Sequence, residues 1–119
     1  MTSPHGTCDR DPFSRIDNRP RMLDAYLRGA DPRHPLASPL YADLSGLPPM
    51  LVLAGPDETC VDVALDLAAR AQAHGVDATC ELVDGAFHTW MGYVGVVPEA
   101  DASIARVATF IRERTSAPV

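Results

Sequence analysis

Leu47-Pro48-Pro49-Met50-Leu51-Val52-Leu53-Ala54-Gly55-Pro56-Asp57-Glu58-Thr59 decides the fold, read together with Asp84-Gly85-Ala86-Phe87-His88 further along. Met50 to Ala54 is an unbroken apolar run of strand length, the pattern of a strand buried on both faces. Gly55 and Pro56 break it into a turn carrying two acids, Asp57 and Glu58. Thr59 and Asp62 have the spacing of a capping box at a helix start. Val61, Ala64, Leu65, Ala68 and Ala71 then recur at helical spacing, and Gly75 supplies a stop. Ala78 to Val83 reads as a second strand. Strand, helix and strand make one parallel βαβ unit, expected to be right-handed.

Working outward, the last helix is expected over roughly Glu99 to Arg114, with Pro98 at or just before its first turn and Ala100, Ile104, Val107, Ala108 and Ile111 as its buried stripe. Upstream, eight of the eleven prolines precede Met50. Residues 1–19 are polar and lack useful periodicity, which predicts a loop or partly ordered tail. Pro20 to Arg28 predicts a short helix with Met22, Leu23, Tyr26 and Leu27 on its apolar face and Gly29 ending it. Ala30 to Pro49 reads as an extended loop, because Asp31-Pro32, His34-Pro35 and Ser38-Pro39 each turn the preceding residue away from helical angles. The expected organisation is a loop-rich segment over 1–45 and a partial α/β domain over 46–119. Two parallel strands leave both sheet edges open and are marginal alone, so the sequence looks cut from a larger fold.

The bulk properties narrow the function. The chain has 119 residues, 46% hydrophobic and 22% charged, the balance of a globular protein. A net charge of −6 with scattered arginines speaks against a nucleic-acid partner. No segment approaches the roughly 18 apolar residues of a membrane span. Met1 to Arg10 lacks the apolar run of a signal peptide, and the expectation is a cytoplasmic protein that does not bind membranes. Cys8, Cys60 and Cys80 form no CxxC and no even set, so no disulfide framework, metal or other cofactor is expected. Cys80 reads as a small packed hydrophobe.

In open α/β sheets, functional groups collect beyond the carboxyl ends of the strands. Asp57 and Glu58 follow the first strand there, and His88 follows the second. A carboxylate bonded to one ring nitrogen would fix the tautomer and let the other nitrogen take a proton from a nucleophile. The chain order acid-then-histidine fits the Ser…Asp/Glu…His order of α/β-hydrolases. An exposed acidic turn and a solvated histidine would give the same spacing. Trp90, Met91 and Tyr93 would either line an acyl pocket or pack under the last helix. His5, His34 and His74 read as surface residues, and Cys60, near a helix N-terminus, has no partner order to recommend it as a nucleophile.

Beyond that spacing, nearly the whole chain resembles the C-terminal third of the hormone-sensitive-lipase-like α/β-hydrolases, in particular bacterial carboxylesterases and monoterpene lactone hydrolases. The likeness is carried by Asp31-Pro32-Arg33-His34-Pro35-Leu36-Ala37-Ser38-Pro39-Leu40-Tyr41, by Leu44-Ser45-Gly46-Leu47-Pro48-Pro49 and by Gly55-Pro56-Asp57-Glu58. Asp62, Gly75, Asp84-Gly85 and His88 also fall in its pattern. The resemblance implies His88 as general base and Glu58 as the orienting acid, although the family more often has Asp there; Asp57 is the alternative. It implies a small ester or lactone as substrate of the intact enzyme. No Gly-x-Ser-x-Gly and no His-Gly-Gly-Gly-type segment occurs in the 119 residues, so the expectation is a fragment that supplies acid and histidine and is inactive alone. A different expectation is a non-catalytic α/β module that joins a complementary chain through its open sheet edge. A prolyl-oligopeptidase-like segment fits less well, given Ser38-Pro39-Leu40 and Leu47-Pro48-Pro49.

Overall fold

The structure, a computed structural model, describes residues 19–115. Its elements are α1 (Arg19–Leu27), β1 (Met50–Ala54), α2 (Val61–Ala73), β2 (Ala78–Leu82) and α3 (Pro98–Thr115), with 3₁₀ turns at Pro39–Tyr41 and Trp90–Tyr93. The expectations for the tail up to Asn18, with His5 and Cys8, lie outside the described residues. β1 and β2 pair in parallel, from Met50 opposite Ala78 to Ala54 opposite Leu82. Val83 N–H donates to Ala54 O at 2.9 Å, so the ladder continues one step past β2.

Gly75 ends α2 as the sequence suggests, and the geometry shows how. With φ at +80°, it lets Gly75 N–H reach Gln72 O and Val76 N–H reach Ala71 O, both at 2.9 Å. These are the two bonds of a Schellman motif, and Val76 and Ala71 share one hydrophobic cluster behind it. The other end of α2 departs from expectation. Its N-cap is Cys60, with no side-chain capping bond, while Thr59 is fully buried one residue earlier. The tight turn beginning at Glu58 carries Thr59 into the interior, away from the position a capping hydroxyl needs.

The core is split by the sheet. Leu44, Ala71, Val76 and Ala78 pack with Met50 and Leu67; Ala86, Trp90 and Ala100 pack with Leu53, Val83 and Phe87. Met50 and Leu53 have opposite parity on one strand, so these clusters occupy opposite faces of the sheet. Complete burial of β1 does not follow: Met50 to Leu53 are half-buried and Ala54 alone is fully enclosed. A two-stranded sheet has too few neighbours to cover an apolar strand on all sides. The stripe of α3 is likewise rotated. Ala100 and Ser103 are buried, whereas Ile104 and Ile111 are 43% and 51% exposed. α3 is steered by what it meets, a bidentate bond from Arg106 to Glu81 on β2 and an ion pair between Arg114 and Asp77.

α1 forms where Pro20 and Gly29 place it, yet its apolar face meets nothing large. Met22 is 68% and Tyr26 72% exposed. The following loop is tied to α2, where Leu44 N–H donates to His74 Nδ1 at 2.9 Å and Arg70 donates to Ala42 O at 3.4 Å. His74 is therefore a half-buried clamp and not the surface residue expected; its place at the α2 C-cap aims the ring at the loop. His34 does lie on the surface, accepting from Leu36 N–H. Cys80 is half-buried, and burial with the neighbouring Glu81 pushes its thiol above the ordinary range.

Candidate active site

The site is built where β1 and β2 end side by side. After Ala54 the chain turns through Gly55-Pro56-Asp57-Glu58, closed by Glu58 N–H to Gly55 O at 3.2 Å. Pro56 holds the φ that the second residue of such a turn needs. Gly55 cannot be another residue without rearrangement: a Cβ there would stand 2.0 Å from Ala86 O. That close approach brings the acid turn against the loop that bears His88.

The second loop consists of two successive turns. Ala86 N–H donates to Val83 O and Trp90 N–H to Phe87 O, each at 3.1 Å. The third residue of each turn has positive φ: Gly85 at +76° and Thr89 at +65°. The second residues, Asp84 and His88, are not among the positive-φ residues, so both turns are of type II. Glycine meets that requirement freely at 85; threonine meets it at 89 against its own preference.

These turns bring Glu58 and His88 together. His88 Nδ1 lies 3.1 Å from Glu58 Oε2, and Gly55 N–H donates to Glu58 Oε1 at 3.0 Å. The carboxylate is 7% exposed and the imidazole 37%. An ionised carboxylate only accepts hydrogen bonds, so opposite such a carboxylate Nδ1 is the donor and the Nε2 lone pair is left as the basic position. Both carboxylate oxygens are used, which makes burial of the charge tolerable. Asp57 is exposed at the outer corner of the same turn, and the hydrogen bond to the imidazole belongs to Glu58.

Trp90 resolves between its two expected roles. It is 2% exposed, packs against Ala86 and Ala100 under α3, and donates from Nε1 to Ser103 Oγ at 3.0 Å. Met91 is half-buried beside this cluster. Tyr93 is 38% exposed and meets Phe87 edge-on at 5.4 Å. Sequence reasoning missed the close approach at Gly55, the Ser103 anchor and the backbone state of Thr89. Only the first left a trace, a glycine between an apolar strand and a proline. Among the described residues no group of three or more His, Cys, Asp or Glu side chains could hold a metal ion, and no helix is long and apolar enough to cross a membrane.

Comparison with known proteins bears on the same residues. A family model described as alpha/beta hydrolase fold matches residues 2–92. An acetyl-hydrolase of Streptomyces hygroscopicus is 43% identical over 95 residues, covering 80% of this chain and 32% of that protein. An esterase of Acinetobacter venetianus is 33% identical over 79 residues, 66% of this chain and 26% of that one. Among solved structures, an esterase from the bacterial hormone-sensitive lipase (HSL) family superposes with a TM-score of 0.84 at 43% identity, over 89% of this chain and 36% of that one. A hormone-sensitive lipase from a metagenome library gives 0.84 at 37% identity, over 90% and 37%. The chain spans a quarter to a third of the length of the curated relatives it matches.

Proposed function

The chain belongs to the α/β-hydrolase-fold family, on its hormone-sensitive-lipase-like branch, and from that premise we propose that it forms the acid–histidine side of a serine ester hydrolase. Glu58 orients His88 and offsets the positive charge the imidazole acquires; Nε2 takes the proton from a serine supplied by sequence outside these residues. Nε2 returns that proton to the departing alkoxide, leaving an acyl-serine, and the same nitrogen then deprotonates the water that releases the acid and restores the serine hydroxyl. The substrate class is a small carboxylic ester or lactone, and the setting the cytoplasm, where Cys60 and Cys80 stay reduced.

The observation that carries this reading is the Nδ1–Glu58–Gly55 chain of hydrogen bonds at the strand ends. By itself the 119-residue chain is expected to lack turnover. Loss of a triad nucleophile costs on the order of 10⁶, and loss of an oxyanion donor about 10²–10³. The test replaces the matching third of the Streptomyces acetyl-hydrolase with this chain and follows hydrolysis of p-nitrophenyl acetate. The hybrid should hydrolyse it and lose at least about 10³-fold with His88→Ala. His88-independent hydrolysis by the hybrid, or His88-dependent hydrolysis by the chain alone, would refute the reading.

A second reading, a non-catalytic module pairing with a complementary chain through the sheet edge, has one observation in its favour. The apolar residues Met50 to Leu53 of β1 are only half covered. It predicts a defined complex through that edge whose formation is indifferent to Glu58 and His88.

A further inference from the structure

Thr89 is the one β-branched residue among the described residues that adopts positive φ, and it directly follows the proposed base. At φ +65° and ψ +22° it lies in the left-handed region, which is unfavourable for an ordinary L-residue and more so for a β-branched one. A type II turn relaxes to type I by flipping its central peptide, here His88–Thr89. The flip would carry Thr89 to negative φ and ψ of His88 from about +120° to about −30°.

Three contacts oppose the flip. Thr89 Oγ1–H donates to His88 O at 2.6 Å, gripping the very carbonyl that would have to turn. Gly92 N–H donates to Thr89 O at 3.0 Å, opening the 3₁₀ turn for which Thr89 is the N-cap. Beyond it, Trp90 is fixed under α3 by Ser103. The residue before Thr89 is bonded to Glu58 and the residue after it is buried, so Thr89 absorbs the mismatch between two fixed points.

We propose that Thr89 is a positioning residue whose hydroxyl latches the strained turn and so keeps the His88 imidazole in register with Glu58. This rests on the dyad proposed above. Because side-chain rotamers depend on local φ and ψ, a flipped peptide would tilt the imidazole out of its 3.1 Å contact. Glycine at 89 would need no latch. Valine would keep the strain and lose the latch.

The test uses ¹⁵N NMR of the full chain to read the tautomer of neutral His88, alongside its thermal midpoint. Thr89→Val should lower the Nδ1–H to Nε2–H ratio about fivefold, the worth of one hydrogen bond, whereas Thr89→Gly should keep it within about twofold. Thr89→Ala, which also removes the hydroxyl but crowds less, should fall on the valine side and serves if the valine chain does not fold. An unchanged ratio in valine and alanine variants, or equal loss with glycine, overturns the proposal. A shift in midpoint with no change in tautomer would make Thr89 merely structural and would overturn it equally. Glu58→Gln separates the two ideas: if it leaves the tautomer alone, the dyad itself fails, and if it inverts the tautomer while Thr89→Val does nothing, only the latch fails.

Discussion

α1 and the strand-end loops are both short segments of mixed polarity, yet the structure treats them in opposite ways. α1 follows its sequence signals faithfully and then exposes Met22, Leu23 and Tyr26. The two loops have little regular structure, yet Glu58, Thr59, Ala86 and Trp90 are all buried within them. Local signals set where an element starts and stops, whereas burial needs partners. The loops find theirs in each other and in α3.

The contrast can be broken most sharply at Gly55. Gly55→Ala drives a Cβ into Ala86 O and should cost about 3 kcal/mol in urea unfolding of the full chain. A cost under about 0.5 kcal/mol would mean that the two loops are not pressed together. Next comes Ser103→Ala, which leaves the buried Trp90 indole N–H without its acceptor and should cost about 1–2 kcal/mol. Smallest of all, Met22→Ser or Tyr26→Ser on α1 should change stability by no more than about 0.5 kcal/mol. A large loss there would show that α1 is packed and would erase the difference between the regions.

Much of this was legible in advance. The bounds of β1 and the glycine stop of α2 follow from an apolar run and a single residue that tolerates positive φ. Glu58 and His88 could be named because chain order and family resemblance place an acid and a histidine at successive strand ends; the resemblance favours Glu58 without excluding Asp57. That choice depends on which side chain the Gly55–Pro56 turn directs inward. The stripe of α3 was misjudged at Ile104 and Ile111, since periodicity gives a helix an apolar face without saying what stands opposite. Here Arg106, Arg114 and the Trp90–Ser103 bond set the rotation. Thr89 was invisible because threonine carries no mark of the left-handed region.

The central claim is that Glu58, and not Asp57, fixes the protonation of His88. Gly55 N–H is a donor that cannot reverse, so a glutamine at 58 must offer it the amide oxygen and turn its NH₂ toward His88 Nδ1. The ¹⁵N spectrum of neutral His88 should therefore show Nδ1–H in the parent chain and in Asp57→Asn, and Nε2–H in Glu58→Gln. Inversion by Asp57→Asn with Glu58→Gln unchanged would contradict the account.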